Sequence, residues 1–278
     1  MKKLTKKKSL KLISLVGLFV LLFIIWIIWD NVHIQTTHYS IEDEALPEAF
    51  DGFKVAQISD LHNKDWGADL AEILEQEQPD LIAITGDLID SSTEDFSPAL
   101  SLIESLTSIA PIYFVTGNHE AWHIQYDALE KSLIDKGITI LDDQAIEIGK
   151  DSSVLTLMGI QDPAFSEDTS DTFENTLTKL ADSSDEYTVL LSHRPERFQS
   201  YVESNVNIVL SGHAHGGQFR LPFIGGLVAP DQGLFPEYTA GVHTAEETSM
   251  IVSRGLGNSI IPIRFNNPPE LVIVTLNH

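Results

Sequence analysis

The sequence predicts a layered domain of mixed helices and strands behind one N-terminal membrane helix. Two patterns carry this prediction. From Phe53 onward, short β-branched runs alternate with helical stretches, and before it a lysine-rich leader precedes a long apolar run. With 278 residues, 43% of them hydrophobic, the chain can bury the core of one large domain or two small ones.

The N-terminus combines charge and hydrophobicity in the manner of a signal anchor. Its first eleven residues contain six lysines and no acid. The following run, Leu12 to Trp29, has 18 apolar or weakly polar residues, about 27 Å of helix, which matches a bilayer core. We therefore predict a basic leader at 1–11 and a transmembrane anchor at 12–29. A cleaved signal peptide is the alternative, although the run is long for one and no small-x-small site follows it.

The lysines also predict an orientation. Because they precede the helix and none follows it closely, the positive-inside rule places the N-terminus in the cytoplasm. The predicted location is the cell membrane, single-pass, with the domain that follows the helix extracytoplasmic. Residues 30–50 mix turn formers with a possible short strand and predict a stem. The domain itself is predicted at 51–278.

Charge and cysteine content exclude some functions. Of the 17 lysines and arginines, six lie in the leader, which leaves 11 bases against 41 acids and a net charge of −30 in the remainder. Such a surface repels polyanions, which argues against nucleic acid as a substrate. Since the chain has no cysteine, disulfides and thiolate catalysis are excluded.

Helical periodicity and strand-like runs place the elements of the domain. Apolar residues at three-to-four spacing predict helices at Ala68–Gln78, Ala99–Ile109 and Tyr126–Lys136. Residues 162–187 are rich in Asp, Ser, Thr and Glu and predict a solvated helix-and-loop excursion. The tail after Met250 predicts two further strands.

Five apolar runs end in the same way: each stops at Ser or Thr and is followed within two residues by a metal-ligand type. The ligand types are Asp60, Asp87, Asn118, His193 and His213. Because strand ends converge on one edge of a sheet, where ligands bind in α/β architectures, we expect these side chains to meet. Taken singly, each has a simpler explanation: a Gly-Asp pair is commonly a turn, and His193 can be a hydrogen-bonded core histidine.

The most specific segment is SGHAHGGQ at 211–218. It holds three glycines and two histidines that are separated by a single residue, so the imidazole rings are almost its only large side chains. The Asp-x-His pair of Asp60 and His62 adds a second ligand pair of the same spacing. Carboxylate, amide oxygen and imidazole together suit Mn, Fe or Zn, whereas Ca prefers oxygen ligands throughout.

The order and spacing of DLH, GDLID, GNHE, the His193 block and GHAHGGQ resemble the calcineurin-like metallophosphoesterases, in particular their membrane-associated bacterial branch. The resemblance covers roughly Phe53 to Leu276. It implies an α+β fold of two packed mixed β-sheets flanked by helices, the four-layer αββα metallophosphoesterase sandwich, with the site on loops at one end.

The resemblance also implies a site with two divalent metal ions. One ion would be held by Asp60, His62, Asp87 and His215. The second would share Asp87 as a bridge and add Asn118, His193 and His213. The ions are expected to be Mn, Fe or Zn, and a hydroxide between them would attack phosphorus. His119 has no metal role in this set, so we expect it to hydrogen-bond a phosphate oxygen or protonate the leaving group.

The predicted function is hydrolysis of a phosphate ester: a phosphodiester, a monoester or a pyrophosphate. The short stem and the apolar segment 219–230 (FRLPFIGGLVAP) suggest a lipid-linked or envelope substrate, unless that segment forms a hairpin packed in the core. Two other classes remain open. A tethered module could bind metals without turnover, and an extracellular nuclease would have to overcome the net charge of −30.

Overall fold

The computed structural model describes residues 2–166, 169–258 and 262–278. Its α-helices are α1 (Lys2–Val32), α2 (Asp69–Glu77), α3 (Ser97–Leu106), α4 (Asn118–Trp122), α5 (Tyr126–Asp135), α6 (Thr169–Ala181) and α7 (Phe198–Glu203). The three helices predicted inside the domain are present as α2, α3 and α5. Helix α3 begins two residues before the predicted Ala99, because Pro98 in its first turn needs no amide hydrogen there.

In the part of the chain that the structure describes, the strands form two large sheets and two small hairpins. In chain order they are β1 (Gln35–Glu42), β2 (Phe53–Ile58), β3 (Leu81–Thr85), β4 (Ile112–Val115), β5 (Thr139–Ile140), β6 (Gln144–Lys150), β7 (Ser153–Gly159), β8 (Tyr187–Leu191), β9 (Ile208–Ser211), β10 (Arg220–Leu221), β11 (Gly225–Gly226), β12 (Val228–Ala229), β13 (Gly233–Leu234), β14 (Gly241–Ala245), β15 (Thr248–Val252) and β16 (Glu270–Asn277). The two strands predicted after Met250 correspond to β15 and β16.

Within the described residues each large sheet has six strands, in the orders β1-β16-β2-β3-β4-β5 and β14-β15-β9-β8-β7-β6. Strands β2 to β5 run parallel, as do β7, β8, β9 and β15. Strand β16 pairs parallel with β1 and antiparallel with β2, whereas β14 and β6 pair antiparallel with β15 and β7. Both sheets are therefore mixed. The parallel strands bring the carboxyl ends of β2, β3 and β4 to one edge of the first sheet, and those of β8 and β9 to one edge of the second.

Three hydrophobic layers hold the sandwich together. Between the sheets lies a buried cluster that includes Val55, Leu157, Leu210 and Val272. A second cluster packs α2, α3 and α5 on the outer face of the first sheet, and a third packs α6 and α7 on the second sheet. The predicted four-layer αββα arrangement is confirmed, because each sheet buries one face on the other sheet and one on helices.

Helix α1 is longer than the predicted anchor, since the lysine leader continues it to Lys2. Its segment Leu10–Val32 has a mean hydropathy of 2.9 and is long and apolar enough to cross a membrane, although the same composition fits a signal sequence. The predicted stem at 30–50 contains β1, an eight-residue strand paired with β16. The possible short strand predicted in this stem corresponds to β1, whereas its pairing with β16 joins residues 235 positions apart and had no local signal in the sequence.

Candidate metal centre

The carboxyl edges of the two sheets meet where the predicted ligands lie. Gln57, at the end of β2, donates one hydrogen bond to the Thr85 hydroxyl (3.0 Å) and one to the Ser211 carbonyl of the other sheet (2.9 Å). The His213 backbone N–H donates to the Asp60 carboxylate at 3.0 Å. Buried polar bonds across the sandwich therefore fix the two sets of ligand loops against each other.

Four predicted ligands form a first group. Each offers a ligand atom, and these atoms all lie within 4.8 Å of one another: Asp60, His62, Asp87 and His215. The Nε2 atom of His215 is 3.3 Å from Asp60 Oδ1 and 3.2 Å from His62 Nε2. Nitrogen and oxygen atoms that carry lone pairs thus converge on one point, the arrangement that a cation requires.

A second group shares Asp87 with the first. Asp87, His193 and His213 also bring ligand atoms within 4.8 Å of one another. His193 Nε2 lies 3.2 Å from Asp87 Oδ2 and 3.1 Å from His213 Nδ1. The backbone carbonyl of Thr85 is 2.8 Å from His193 Nδ1, which directs the hydrogen of a neutral ring to Nδ1 and leaves the Nε2 lone pair facing Asp87.

Asn118 adds the amide oxygen. It is buried, and its Oδ1 atom has no hydrogen-bond partner among the described residues. A buried carbonyl oxygen without a partner is costly, so this atom fits a metal ligand better than a structural amide. Asn118 lines one cavity of about 870 Å³ together with Asp87, His119, His213 and His215. The structure thus brings all seven predicted ligands and His119 to one site.

The backbone at the site adopts an uncommon conformation. Five of the seven predicted ligands have positive φ angles between 47° and 65°: Asp60, His62, Asp87, His213 and His215. Non-glycine residues avoid this left-handed region, at a cost of about 1 kcal/mol or more each. Such strain persists where surrounding contacts enforce it, and here it turns consecutive loops so that their side chains face one centre.

The electrostatics of the site suit a cation. Although burial opposes ionisation, the imidazoles of His193 and His62 hold the pKa of Asp87 well below its usual range. Against the effect of burial, the Asp87 carboxylate in turn raises the pKa of His193 to about 10. The negative potential that attracts a proton to His193 is the same potential that would attract a divalent ion.

A model of the calcineurin-like phosphoesterase family matches residues 53–217, which is more than half of the chain. The chain belongs to this family. The matched region begins with β2 and ends in the loop 212–217 after β9, which we name the metal loop for its two predicted ligands, His213 and His215. The region therefore contains every predicted ligand. Membership in this family assigns an activity to the domain: the divalent-metal-dependent hydrolysis of phosphate esters.

Relatives of this phosphoesterase support the assignment along most of its length. It is 33% identical to the uncharacterized metallophosphoesterase YkuE of Bacillus subtilis, over 87% of this chain and 85% of that one. It is 28% identical to phosphodiesterase YaeI of Escherichia coli, over 84% of each chain. The sulfate thiohydrolase SoxB of Thermus thermophilus shares the fold, with a TM-score of 0.52 at 11% identity over 84% of this chain and 57% of that one.

Glu120 organises the phosphoesterase site without facing the cavity, and the sequence did not reveal this role. Its carboxylate is fully buried and accepts hydrogen bonds from the backbone N–H groups of Gly117 (2.7 Å), Asp87 (2.9 Å) and Ile89 (3.2 Å). It thereby ties the loop after β3 to the loop after β4. The signal was its place in the GNHE motif, directly after His119.

Replacing Glu120 with glutamine should therefore loosen the site. One acceptor oxygen becomes an NH₂ group that faces backbone donors, so we expect a loss of about 1–3 kcal/mol in the free energy of unfolding and weaker metal binding. Denaturant unfolding and metal titration measure both effects. The same change at exposed Glu75 of α2 is the control. An unchanged unfolding midpoint in E120Q would show that the carboxylate does not hold the loops.

Arg194 closes one wall of the cavity. It forms a bidentate pair with buried Asp162 (2.6 and 2.9 Å) and also contacts Asp231 (2.5 Å). Asp231 Oδ2 lies 2.9 Å from His213 Nε2, the ring atom that faces away from His193. This carboxylate can therefore orient His213 as a ligand through Nδ1. Sequence reasoning could not find it, because Asp231 lies in a loop without a recognisable motif.

Proposed function

We propose that this phosphoesterase is a membrane-anchored hydrolase that uses two divalent ions, one in each ligand group. The observation that carries the proposal is the shared position of Asp87, whose Oδ2 atom lies 3.7 Å from His62 Nε2 and 3.2 Å from His193 Nε2. A single carboxylate oxygen between two ligand groups is suited to bridge two cations. Mn, Fe and Zn all fit this set of ligands, and availability often decides between them.

Bound divalent ions would lower the pKa of a water molecule, so that it could lose a proton at neutral pH and attack phosphorus. They would also offset the negative charge of the phosphate. The chain supplies position and shape. Asp87 keeps the two ligand groups together, and its Oδ1 atom accepts a hydrogen bond from the His119 backbone N–H at 2.9 Å. The same carboxylate therefore fixes the loop that carries His119 beside the place where phosphate would lie.

His119 is suited to act on the substrate as a hydrogen-bond donor. Its Nδ1 atom accepts a hydrogen bond from the Ser91 backbone N–H (2.9 Å), so the hydrogen of a neutral ring resides on Nε2. Burial lowers the pKa of His119, against the raising effect of Asp87. The ring is therefore neutral at pH 7 and can offer Nε2–H to a phosphate oxygen or to the leaving oxygen.

Replacing His119 with alanine should lower kcat about 100-fold while both metal ions stay bound. If the Nε2–H group of His119 donates a hydrogen bond to the leaving oxygen, the loss should be larger for a phenyl ester than for a nitrophenyl ester, because the more basic phenolate gains more from a hydrogen bond. Steady-state kinetics with both esters measures this difference. The control is His38→Ala, an exposed histidine on β1. Full turnover by H119A with its metals in place would refute the role.

The proposed substrate is a lipid-linked or envelope phosphate ester in the outer leaflet. Helix α1 is proposed as an uncleaved anchor at 12–29 with the leader 1–11 in the cytoplasm, the stem at 30–50 and the catalytic domain 51–278 outside. A diester is the first candidate, since the Escherichia coli relative is named a phosphodiesterase. The net charge of −30 outside the leader argues against a nuclease.

A substrate screen with the full chain tests the proposal. The chain is reconstituted in bilayers and loaded with Mn, Fe or Zn. We expect metal-dependent release of nitrophenol from bis-nitrophenyl phosphate, and faster hydrolysis of phosphate esters carried by lipids than of soluble esters. Tight metal binding without turnover would favour a binding or sensing module instead. Cleavage of DNA at physiological salt would favour the nuclease.

A further inference from the structure

The metal centre and helix α1 lie at the same end of the sandwich. Strand β2 delivers Asp60 at its carboxyl end, and β16 runs antiparallel to β2, so the first residue of β16, Glu270, lies at that edge. Gln35, the first residue of β1, pairs with Glu270. Helix α1 ends three residues before Gln35. The membrane that would hold α1 is therefore on the side of the molecule where the metal loops are.

Hydrogen bonds connect the end of α1 to the metal loop. Asn31 and Arg264 exchange a reciprocal pair: the Asn31 amide donates to the Arg264 carbonyl (2.9 Å), and the Arg264 N–H donates to Asn31 Oδ1 (2.7 Å). Asn267 donates its backbone N–H to Asp30 (3.2 Å) and its side-chain amide to the His215 carbonyl (2.7 Å). Asn267 therefore bridges Asp30, in the last turn of α1, and the predicted metal ligand His215.

Aromatic contacts show how far the domain reaches along the helix. The ring of Phe265 packs on Trp26 (centroids 5.4 Å apart) and on Phe23 (6.2 Å). Phe23 lies nine residues before the end of α1 at Val32, which corresponds to about 14 Å of helix. If the anchor at 12–29 spans a bilayer, Phe23 lies six residues, about 9 Å of helix, inside its outer end at Trp29, so Phe265 reaches below the outer interface.

An exposed apolar surface continues from Phe265. Phe265 pairs with Phe219 and accepts a hydrogen bond from the Arg220 N–H (3.0 Å) at the start of the β10–β11 hairpin. We define the apolar rim as four residues in or directly after the hairpins β10–β11 and β12–β13. Their exposed fractions are 109% for Phe223, 58% for Ile224, 75% for Leu234 and 69% for Phe235. The N–H of Phe235 donates to the Leu227 carbonyl (2.9 Å), which joins the second hairpin to the first.

The apolar rim adjoins the metal loop directly. A Cβ atom on Gly217, in the metal loop, would lie 2.4 Å from the Cα atom of Gly226 in β11, so the two backbones are in contact. Pro230 and Asp231, between β12 and β13, line the metal cavity. Whatever covers the rim therefore lies beside the mouth of the cavity.

The charge of the rim indicates what covers it. Segment 219–230 has one basic residue, Arg220, and no acid, and in the second hairpin acids stand only on either side of Leu234 and Phe235, at Asp231 and Glu237. An exposed apolar patch on an otherwise acidic domain marks an interaction surface, and aromatic and aliphatic residues beside a membrane helix favour the bilayer interface. The sequence left open whether this hairpin packs in the core; Phe223 and Ile224 do not.

We propose that the apolar rim docks on the outer leaflet of the bilayer, so that the metal cavity opens at the level of the lipid headgroups. This inference rests on the proposed function only in taking α1 as a retained anchor. Two contacts, α1 and the rim, then fix the orientation of the domain. The substrate class that follows is an amphiphile whose phosphate ester lies at the membrane surface.

The absence of native cysteine allows a direct test with single spin labels on the full chain. A nitroxide on Phe223→Cys is compared with one on Ser152→Cys, an exposed residue in the β6–β7 turn. That turn precedes β7, which is parallel to β8, so it lies at the end of the sheet away from the metal centre. Both proteins are reconstituted in vesicles of phosphatidylglycerol and phosphatidylethanolamine with α1 intact.

The label at 223 should collide more with oxygen and less with a polar nickel chelate than the label at 152, with a roughly tenfold higher ratio, because residues at the acyl boundary are shielded from polar reagents. A nickel accessibility equal to that of the control would overturn the proposal. So would low accessibility to both reagents, which indicates cover by protein. Turnover of soluble bis-nitrophenyl phosphate is measured on the same samples. Turnover without immersion overturns the docking surface alone, whereas immersion without turnover supports docking and counts against the proposed chemistry.

Discussion

Replacing Asp87 with asparagine is expected to abolish the dinuclear site and lower kcat/KM for bis-nitrophenyl phosphate at least about 1,000-fold, equivalent to about 4 kcal/mol of transition-state stabilisation. Asp87 belongs to both ligand groups, and its Oδ2 atom faces His62 and His193. The amide removes the negative charge that lets two cations lie close together. Metal analysis and steady-state kinetics on the same preparation measure both losses.

The control for this variant is the same carboxylate-to-amide change at Asp182, an exposed residue after α6. It precedes β8 and lies at the end of the sheet away from the site, so D182N should retain metal and turnover. The account would be contradicted if D87N kept its full complement of metal and its activity. Loss of one ion with full activity would instead mean that one ion suffices for hydrolysis.

Replacing Gly212 with alanine should disrupt the same centre by steric overlap. A Cβ atom at this position would lie 1.8 Å from Ser59 Oγ and 2.4 Å from Asp60 Oδ2. Ser59 and Asp60 are fully buried and hydrogen-bonded to each other at 2.6 Å, so neither can move away without breaking that contact. We expect a loss of about 1–3 kcal/mol in the free energy of unfolding and, from the displaced Asp60, a roughly 100-fold loss of activity.

The matched control is Gly149→Ala in β6, where an added Cβ atom would meet nothing within 4 Å. That change should leave activity intact and stability unchanged or slightly raised, since alanine restricts the unfolded chain. Thermal unfolding and kinetics compare the two variants. Wild-type stability and turnover in G212A would mean that the loop after β9 is not held against Asp60 as the structure has it.

The sequence predicted the part of this molecule that depends on local pattern. Short apolar runs that end before Asp60, Asp87 and His213 are buried strands with polar ends, and parallel pairing brings those ends together. The positions of the helices followed from periodicity in the same way. The metal roles of these residues remain predictions, because geometry brings the ligands together but does not measure a bound ion.

What the sequence could not reveal depends on contacts between distant segments. The pairing of Gln35 with Glu270 and the reciprocal bonds of Asn31 with Arg264 join the two ends of the chain. A short strand within 30–50 could be expected from the sequence, but neither its pairing with β16 nor the approach of α1 to the metal loop has a local signature. The role of Glu120 in holding the loops could not be predicted, because its hydrogen-bond donors are backbone N–H groups that come together only in the folded loops.

The exposed apolar rim illustrates the same limit. From sequence, segment 219–230 fits a hairpin packed in the core as well as it fits an exposed surface. Composition alone does not determine whether the side chains of a two-residue strand face the core or the solvent. In the structure the hairpin packs Gly226 on Gly217 of the metal loop and leaves Phe223 fully exposed. The close approach of Gly217 and Gly226 leaves no room for side chains between the two backbones, so the large side chains of the hairpin face solvent.

If Asp87 joins two cation sites, each folded chain should retain two ions, and metal stoichiometry measures this number. The full chain is saturated with manganese, freed of loosely bound ions and analysed for metal and protein content. We expect two equivalents of tightly bound ion per chain. At most one tightly bound equivalent in fully folded protein would contradict it.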